Sequence, residues 1–245
     1  MMRNGWVEMD VLKSSKKRVR RLATAIGAVA VMAASVLLSA PAPAASADPC
    51  PDVDVVFARG TGEPPGVGNI GQTFVDALRG RIGARSLGVY PVNYQASSDF
   101  GNPDFPLTVI DGIRDAGSHI QSMVANCPGT RELLGGYSQG AAVAGYVTSA
   151  AVPPGVPAAA VPKPMSPEIA NHVAAVTLFG TPSNQWLGQY GAPPIVIGPL
   201  YQPKTLELCA PGDSICGAGN DAAAHVMYAV NGMTGQAADF AASHL

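Results

Sequence analysis

Charge is scarce in this chain of 245 residues, with Asp, Glu, Lys and Arg together making up only 13% against 47% hydrophobic residues. A disordered chain needs the opposite balance, so a compact folded body is implied. Bases are scarcer still beyond residue 47, where eight Lys and Arg face fifteen Asp and Glu and leave a net charge of about −7. An acidic body without a basic patch argues against a nucleic-acid partner. No Cys-x-x-Cys pair occurs, and His119, His172, His225 and His244 do not cluster at ligand spacing, which leaves a metal centre without support. The glycine-rich stretch after Arg59 lacks the Lys-Ser/Thr of a phosphate-binding loop. No internal repeat is present, which excludes solenoids.

What is there begins with a segment foreign to the fold. Lys13, Lys16, Lys17, Arg18, Arg20 and Arg21 precede the apolar run Leu22 to Ala40, which exits through Pro41-Ala42-Pro43 to Ala45-Ser46-Ala47. This is the pattern of a secretory signal peptide over residues 1–47, cleaved before Asp48. The alternative is an uncleaved membrane anchor, since the apolar run approaches spanning length; the small-residue exit favours cleavage. Residues 48–245 then form one domain of 198 residues, enough for a full core. All four cysteines, Cys50, Cys127, Cys209 and Cys216, fall in that domain. An even count in an exported chain implies disulfides, with three connectivities possible. If Cys209 and Cys216 close a short loop around Asp213, Cys50 is left to tie the domain's N-terminus to Cys127.

The patterning alternates strand and helix. Buried-strand runs are expected at Val53 to Ala58, Leu87 to Val92, Arg131 to Gly135, His172 to Phe179 and Thr205 to Cys209. Helical spacing is seen over 70–84 and about 106–125, the latter with Ile110, Ile113, Ile120 and Val124 on one side, and again near 222–230 and 234–243. The Pro-rich stretch from Val152 to Pro167 reads as a surface excursion. This order predicts an α/β fold, with a parallel sheet of about five strands covered by helices and functional loops at the carboxyl ends of the strands.

Gly136-Tyr137-Ser138-Gln139-Gly140 sits between the third strand and a small-residue helix start, the context of a nucleophile elbow. A serine hydroxyl there needs a base to take its proton and a third group to orient that base. His172 would lie at the wrong edge of the sheet, His119 reads as a solvated histidine on a helix face, and His244 is terminal. His225, after the last strand, is the candidate base. Asp213 is the candidate acid, inside the Cys209 to Cys216 loop; Asp221, four residues before His225, competes and otherwise caps a helix. Two oxyanion donors are expected, the backbone N–H of Gln139 and Thr61 in the loop after the first strand. The apolar loop Ala192 to Leu200 either walls an acyl site or packs on the domain body.

These residues bring the chain to a known family. Through Asp48-Pro49-Cys50-Pro51, Val55 to Thr61, Gly135 to Gly140, Leu208 to Cys216 and His225 to Tyr228 it resembles the cutinases, and within them the cutinase-like proteins of mycolic-acid bacteria. The resemblance implies a small lidless α/β hydrolase with nucleophile Ser138, acid Asp213, base His225, oxyanion donors Thr61 and Gln139, and disulfides Cys50 with Cys127 and Cys209 with Cys216. It departs from the fungal members in having threonine rather than serine at 61 and a longer Pro-rich stretch, which could reshape one wall of the acyl site. The expected activity is that of a secreted serine esterase on short- to medium-chain acyl esters, monomeric and without a cofactor. Peripheral contact with lipid or the cell envelope fits the same reading. A phospholipase, thioesterase or envelope acyltransferase would use the same groups, and a non-catalytic binding protein would not need them.

Overall fold

The computed structural model describes residues 50–245, so the expected leader and its cleavage site lie outside the described residues. Five strands form one all-parallel sheet: β1 (Val53–Ala58), β2 (Leu87–Pro91), β3 (Arg131–Tyr137), β4 (Val173–Phe179) and β5 (Thr205–Leu208), in the spatial order β2-β1-β3-β4-β5. The helices are α1 (Gly68–Arg79), α2 (Phe105–Asn126), α3 (Gln139–Val147), α4 (Pro167–His172), α5 (Asn184–Gly188) and α6 (Met233–Ala242). A 3₁₀ turn at Ala224–Ala229 carries His225.

The three central strands explain the core. β1, β3 and β4 are almost wholly buried because helices cover both faces, so their apolar runs are nearly continuous. On one face α1 and α6 pack over Phe57, Phe74 and Phe179, whose ring centroids lie 5.9–6.2 Å apart. On the other, α2 and α3 cover Val56, Leu134, Val176 and Leu178. β5 departs from the expectation of a buried strand. Among the described residues it is an edge, paired only with β4, and mostly half-buried or exposed. α2 departs too: Gly112, Ala116 and Ile120 face the core, while Ile110 borders a cavity instead. The short helices α4 and α5 had no periodic signal. α4 is marked in the structure by Ser166, which caps it by accepting the Ile169 N–H.

His119 also departs from its expected solvated role. Its Nε2 lies 2.7 Å from Asp54 Oδ2, and its ring stacks on Tyr90 at 3.6 Å. Asp54 and Glu132 stand opposite each other on β1 and β3, both buried, and no donor among the described residues reaches either oxygen of the Glu132 carboxylate. Burial, reinforced by the Asp54 charge, pushes the Glu132 carboxyl up to about 9. The raised value makes the carboxyl's contribution to stability complete below the ordinary glutamate range and progressively lost as pH rises toward 9. Glu132→Gln stays neutral at every pH. It should raise Tm by roughly 5–10 °C at pH 8 and change it little at pH 4.5. Thermal unfolding scans across that range check this; a Tm lower than wild type at pH 8 would contradict it.

Candidate active site

The elbow is built by close approach. Ser138 adopts φ 54° and ψ −117°, a conformation costly for any residue but glycine, between the end of β3 and the start of α3. A Cβ on Gly136 would collide with the Gly140 carbonyl, and one on Gly140 with the carbonyls of Ala58 and Arg59. Only glycine at both places lets strand and helix meet. The Ser138 N–H donates to the Phe179 carbonyl at 2.8 Å, which pins the turn to β4.

The structure brings the expected partners to this serine. Ser138 Oγ lies 2.9 Å from His225 Nε2, and His225 Nδ1 lies 2.7 Å from Asp213 Oδ2. Asp213 is 1% exposed, so an ionised carboxylate there needs donors. It has them: Tyr228 OH donates to Oδ2 at 2.7 Å, and the Ile215 N–H to Oδ1 at 2.8 Å. Burial alone would raise the carboxyl, but the bonds from Tyr228, His225 and Ile215 outweigh it and hold Asp213 below the usual carboxylate range. Asp221 is exposed and accepts the Ala223 N–H at 2.9 Å, a capping bond beside the turn that bears His225. His172 ends α4 just before β4, at the amino edge, and His244 packs against Phe240; neither approaches Ser138.

Both disulfides, Cys50 with Cys127 and Cys209 with Cys216, are formed. The second closes the loop that holds Asp213.

Thr61 sits on a braced turn. Arg59 is buried and donates to the carbonyls of Glu63, Tyr94 and Gln95 at 2.8, 2.6 and 3.2 Å. The Glu63 carboxylate accepts the N–H of Gly60 at 2.6 Å and of Asn69 at 2.9 Å. Gln139 Nε2 donates to Thr61 Oγ1 at 3.4 Å and to the Ser97 carbonyl at 3.0 Å. Because Thr61 accepts that bond, its own proton is available to donate. The Gln139 N–H, first in α3, has no carbonyl within its helix to bond. Thr61, Gln139, Ser138 and His225 share the wall of one cavity of about 280 Å³.

The rest of that cavity is apolar. Phe100, Phe105, Trp186 and Tyr190 line it as an aromatic cluster, with contacting ring centroids 4.6–5.7 Å apart. Tyr146 lies below, its hydroxyl donating to the Pro193 carbonyl at 2.5 Å and its pKa pushed up to about 12 by burial. The 192–200 loop divides its role: Ala192 lines the cavity, Ile197 packs on the core, and Val196 and Leu200 are exposed. Tyr228, Arg59, Glu63 and Trp186 were not singled out from sequence. Two of them left a trace: Tyr228 ends the His225 to Tyr228 block, three residues after His225 and so on the same face of the turn, and Arg59 lies within the Val55 to Thr61 block.

The cutinase family profile matches residues 49–245. The chain belongs to the cutinase family. It is 76% identical over 165 residues to Culp7 of Mycobacterium tuberculosis, named a probable carboxylesterase, covering 67% of this chain and 88% of that one. To the carboxylesterase Culp1 of the same organism it is 48% identical over 230 residues, covering 92% and 97%. Among solved structures, Trichoderma reesei cutinase in complex with a C11Y4 phosphonate inhibitor is similar at TM-score 0.58 and 31% identity, over 80% of this chain and 78% of that one. The all-parallel five-stranded sheet and both disulfides of this cutinase-family chain are those the sequence led us to expect.

Proposed function

We propose that the protein is a secreted serine esterase that cleaves carboxylic esters with apolar acyl groups through an acyl-enzyme on Ser138. The observation that carries this reading is the unbroken relay Ser138–His225–Asp213, at 2.9 and 2.7 Å, beside the free N–H of Gln139. His225 Nε2 takes the Ser138 proton as Oγ attacks the ester carbonyl. The oxyanion forms against the Gln139 N–H and the Thr61 hydroxyl, donors already in place before charge develops. Asp213, accepting from His225 Nδ1, keeps Nε2 free as the base and stabilises the imidazolium. His225 then protonates the leaving alcohol, and water repeats the cycle to release the acid.

Export is supported by the leader pattern and the two disulfides. Among the described residues no helix is long and apolar enough to cross a membrane. Exposed Val226 and Met227 beside His225, with exposed Tyr190 lining the cavity, support contact with a lipid or envelope surface. The direct test is a fluorophosphonate probe with peptide mapping. Label on Ser138 together with hydrolysis of p-nitrophenyl butyrate is expected; absence of both would overturn the reading.

Opening the Cys209–Cys216 loop should release Asp213 from the N–H groups of Ile215 and Cys216, which contact its Oδ1 at 2.8 and 3.4 Å. The variant with both cysteines changed to serine should therefore lose roughly tenfold or more in kcat, measured on the butyrate ester beside a circular-dichroism check of fold. Full activity would show that Tyr228 and burial hold Asp213 without the loop.

A further inference from the structure

Helix α2 carries Phe105, Val109, Ile110 and Ile113 along a side that does not rest wholly on the sheet, whose contact is made by Gly112, Ala116 and Ile120. Facing that side is the Pro-rich segment, with Val152, Val156, Val161 and Met165 turned toward it. The two do not close on each other. Proline fixes φ and cannot donate a backbone hydrogen bond, so Pro153, Pro162 and Pro164 limit how this segment can fold down. A cavity of about 540 Å³ remains between them.

This cavity shares part of its wall with the one at Ser138. Phe100, Phe105, Val109, Tyr146, Tyr190 and Ala192 line both. Its polar side chains are largely engaged elsewhere. Asn102 Oδ1 accepts the Asp104 N–H, Gln121 Nε2 donates to the Gly117 carbonyl, Ser149 Oγ to the Val196 carbonyl, and Arg114 pairs with Asp111. Ser118 and Lys163 are exposed. A sugar or peptide would find few free donors or acceptors here, whereas an aliphatic chain needs none.

We infer that the second cavity receives the distal part of a long acyl chain whose ester carbonyl sits at Ser138, making long-chain fatty esters the preferred substrate class. The inference rests on the esterase reading above and extends it beyond the short to medium chains expected from sequence. The carbonyl end occupies the 280 Å³ pocket, and the chain passes Phe105 and Tyr146 to lie between α2 and the Pro-rich segment. Each methylene taken out of water strengthens binding by roughly fourfold, so filling the second space gives a steep dependence on chain length.

Val156→Trp and Val161→Trp would fill the second cavity, and neither residue lines the Ser138 pocket. The measurement is kcat/KM on p-nitrophenyl butyrate and palmitate in one detergent, with Tm for each variant. In wild type palmitate is expected to exceed butyrate, and the palmitate-to-butyrate ratio should fall tenfold or more in both variants. Val161→Ala should keep the wild-type ratio. Inactivation of the unsubstituted protein by p-nitrophenyl alkylphosphonates gives a second readout that needs no variant: a sixteen-carbon chain should react faster than a four-carbon one. An equal or slower rate for the longer phosphonate, or an unchanged ratio in folded tryptophan variants, would overturn the chamber while butyrate turnover left the esterase reading intact. If neither butyrate turnover nor Ser138 labelling is seen, the esterase reading itself falls.

Discussion

Replacing Ser138 by alanine is expected to lower kcat on the butyrate ester by roughly 10⁵- to 10⁶-fold and to abolish fluorophosphonate labelling. The size follows from what remains. Without Oγ no acyl-enzyme forms, and His225 Nε2 loses the hydroxyl that now lies 2.9 Å away. The Gln139 N–H and Thr61 can still polarise a bound carbonyl for attack by water, so a residual rate above the uncatalysed reaction should survive. The fold should survive too. Alanine meets the same cost at φ 54° that serine already bears, and the backbone bond to Phe179 does not involve the side chain. Tm within a few degrees of wild type, beside lost turnover, would identify the defect as chemical. Retained turnover would mean that hydrolysis proceeds at another group.

Asp213→Asn should cost about 10⁴-fold in kcat with the geometry nearly intact. The two carboxylate oxygens accept from Tyr228, His225, and the N–H groups of Ile215 and Cys216. An asparagine offers one acceptor and one NH₂ to that set of donors. If the NH₂ faces His225, the imidazole must accept at Nδ1 and carry its proton on Nε2, where it can no longer deprotonate Ser138. If the NH₂ faces Ile215, two donors oppose each other in a buried site. Tyr228→Phe should show an intermediate loss, roughly tenfold or more, because the carboxylate keeps His225 and Ile215 but loses its buried hydroxyl donor. Stability separates the variants further. The depressed value of Asp213 means its contribution is present above the ordinary aspartate range and lost as pH falls through the folded value. The Tm gap between wild type and Asp213→Asn should therefore shrink on acidification below pH ~4. Steady-state kinetics and thermal scans on the three proteins check both points, and an Asn variant of near wild-type kcat would remove Asp213 from the mechanism.

Much of the site could be read from sequence because its key pieces are local or loop-linked. The elbow is one pentapeptide whose glycines are demanded by strand-to-helix contact, and Asp213 lies inside the short loop that Cys209 and Cys216 close. What escaped reading depends on contacts distant along the chain. His119 looked solvated because Asp54, its partner, lies 65 positions away. Burial of β5 was overestimated because edge position depends on which strands neighbour it. α4 and α5, at six and five residues, are too short for helical periodicity to emerge.

By itself the sequence determined the order of the strands and of the longer helices, the elbow at Ser138 and the polarity of the body, since these follow from local sterics and from apolar spacing along the chain. Tertiary structure decided the rest. It joined Tyr228 to Asp213 and Arg59 to the Thr61 turn, left Glu132 buried without a donor among the described residues, and held the Pro-rich segment apart from α2. Each of these depends on distance between segments remote in sequence, and hydrogen bonding, burial and cavity volume arise only once those segments pack.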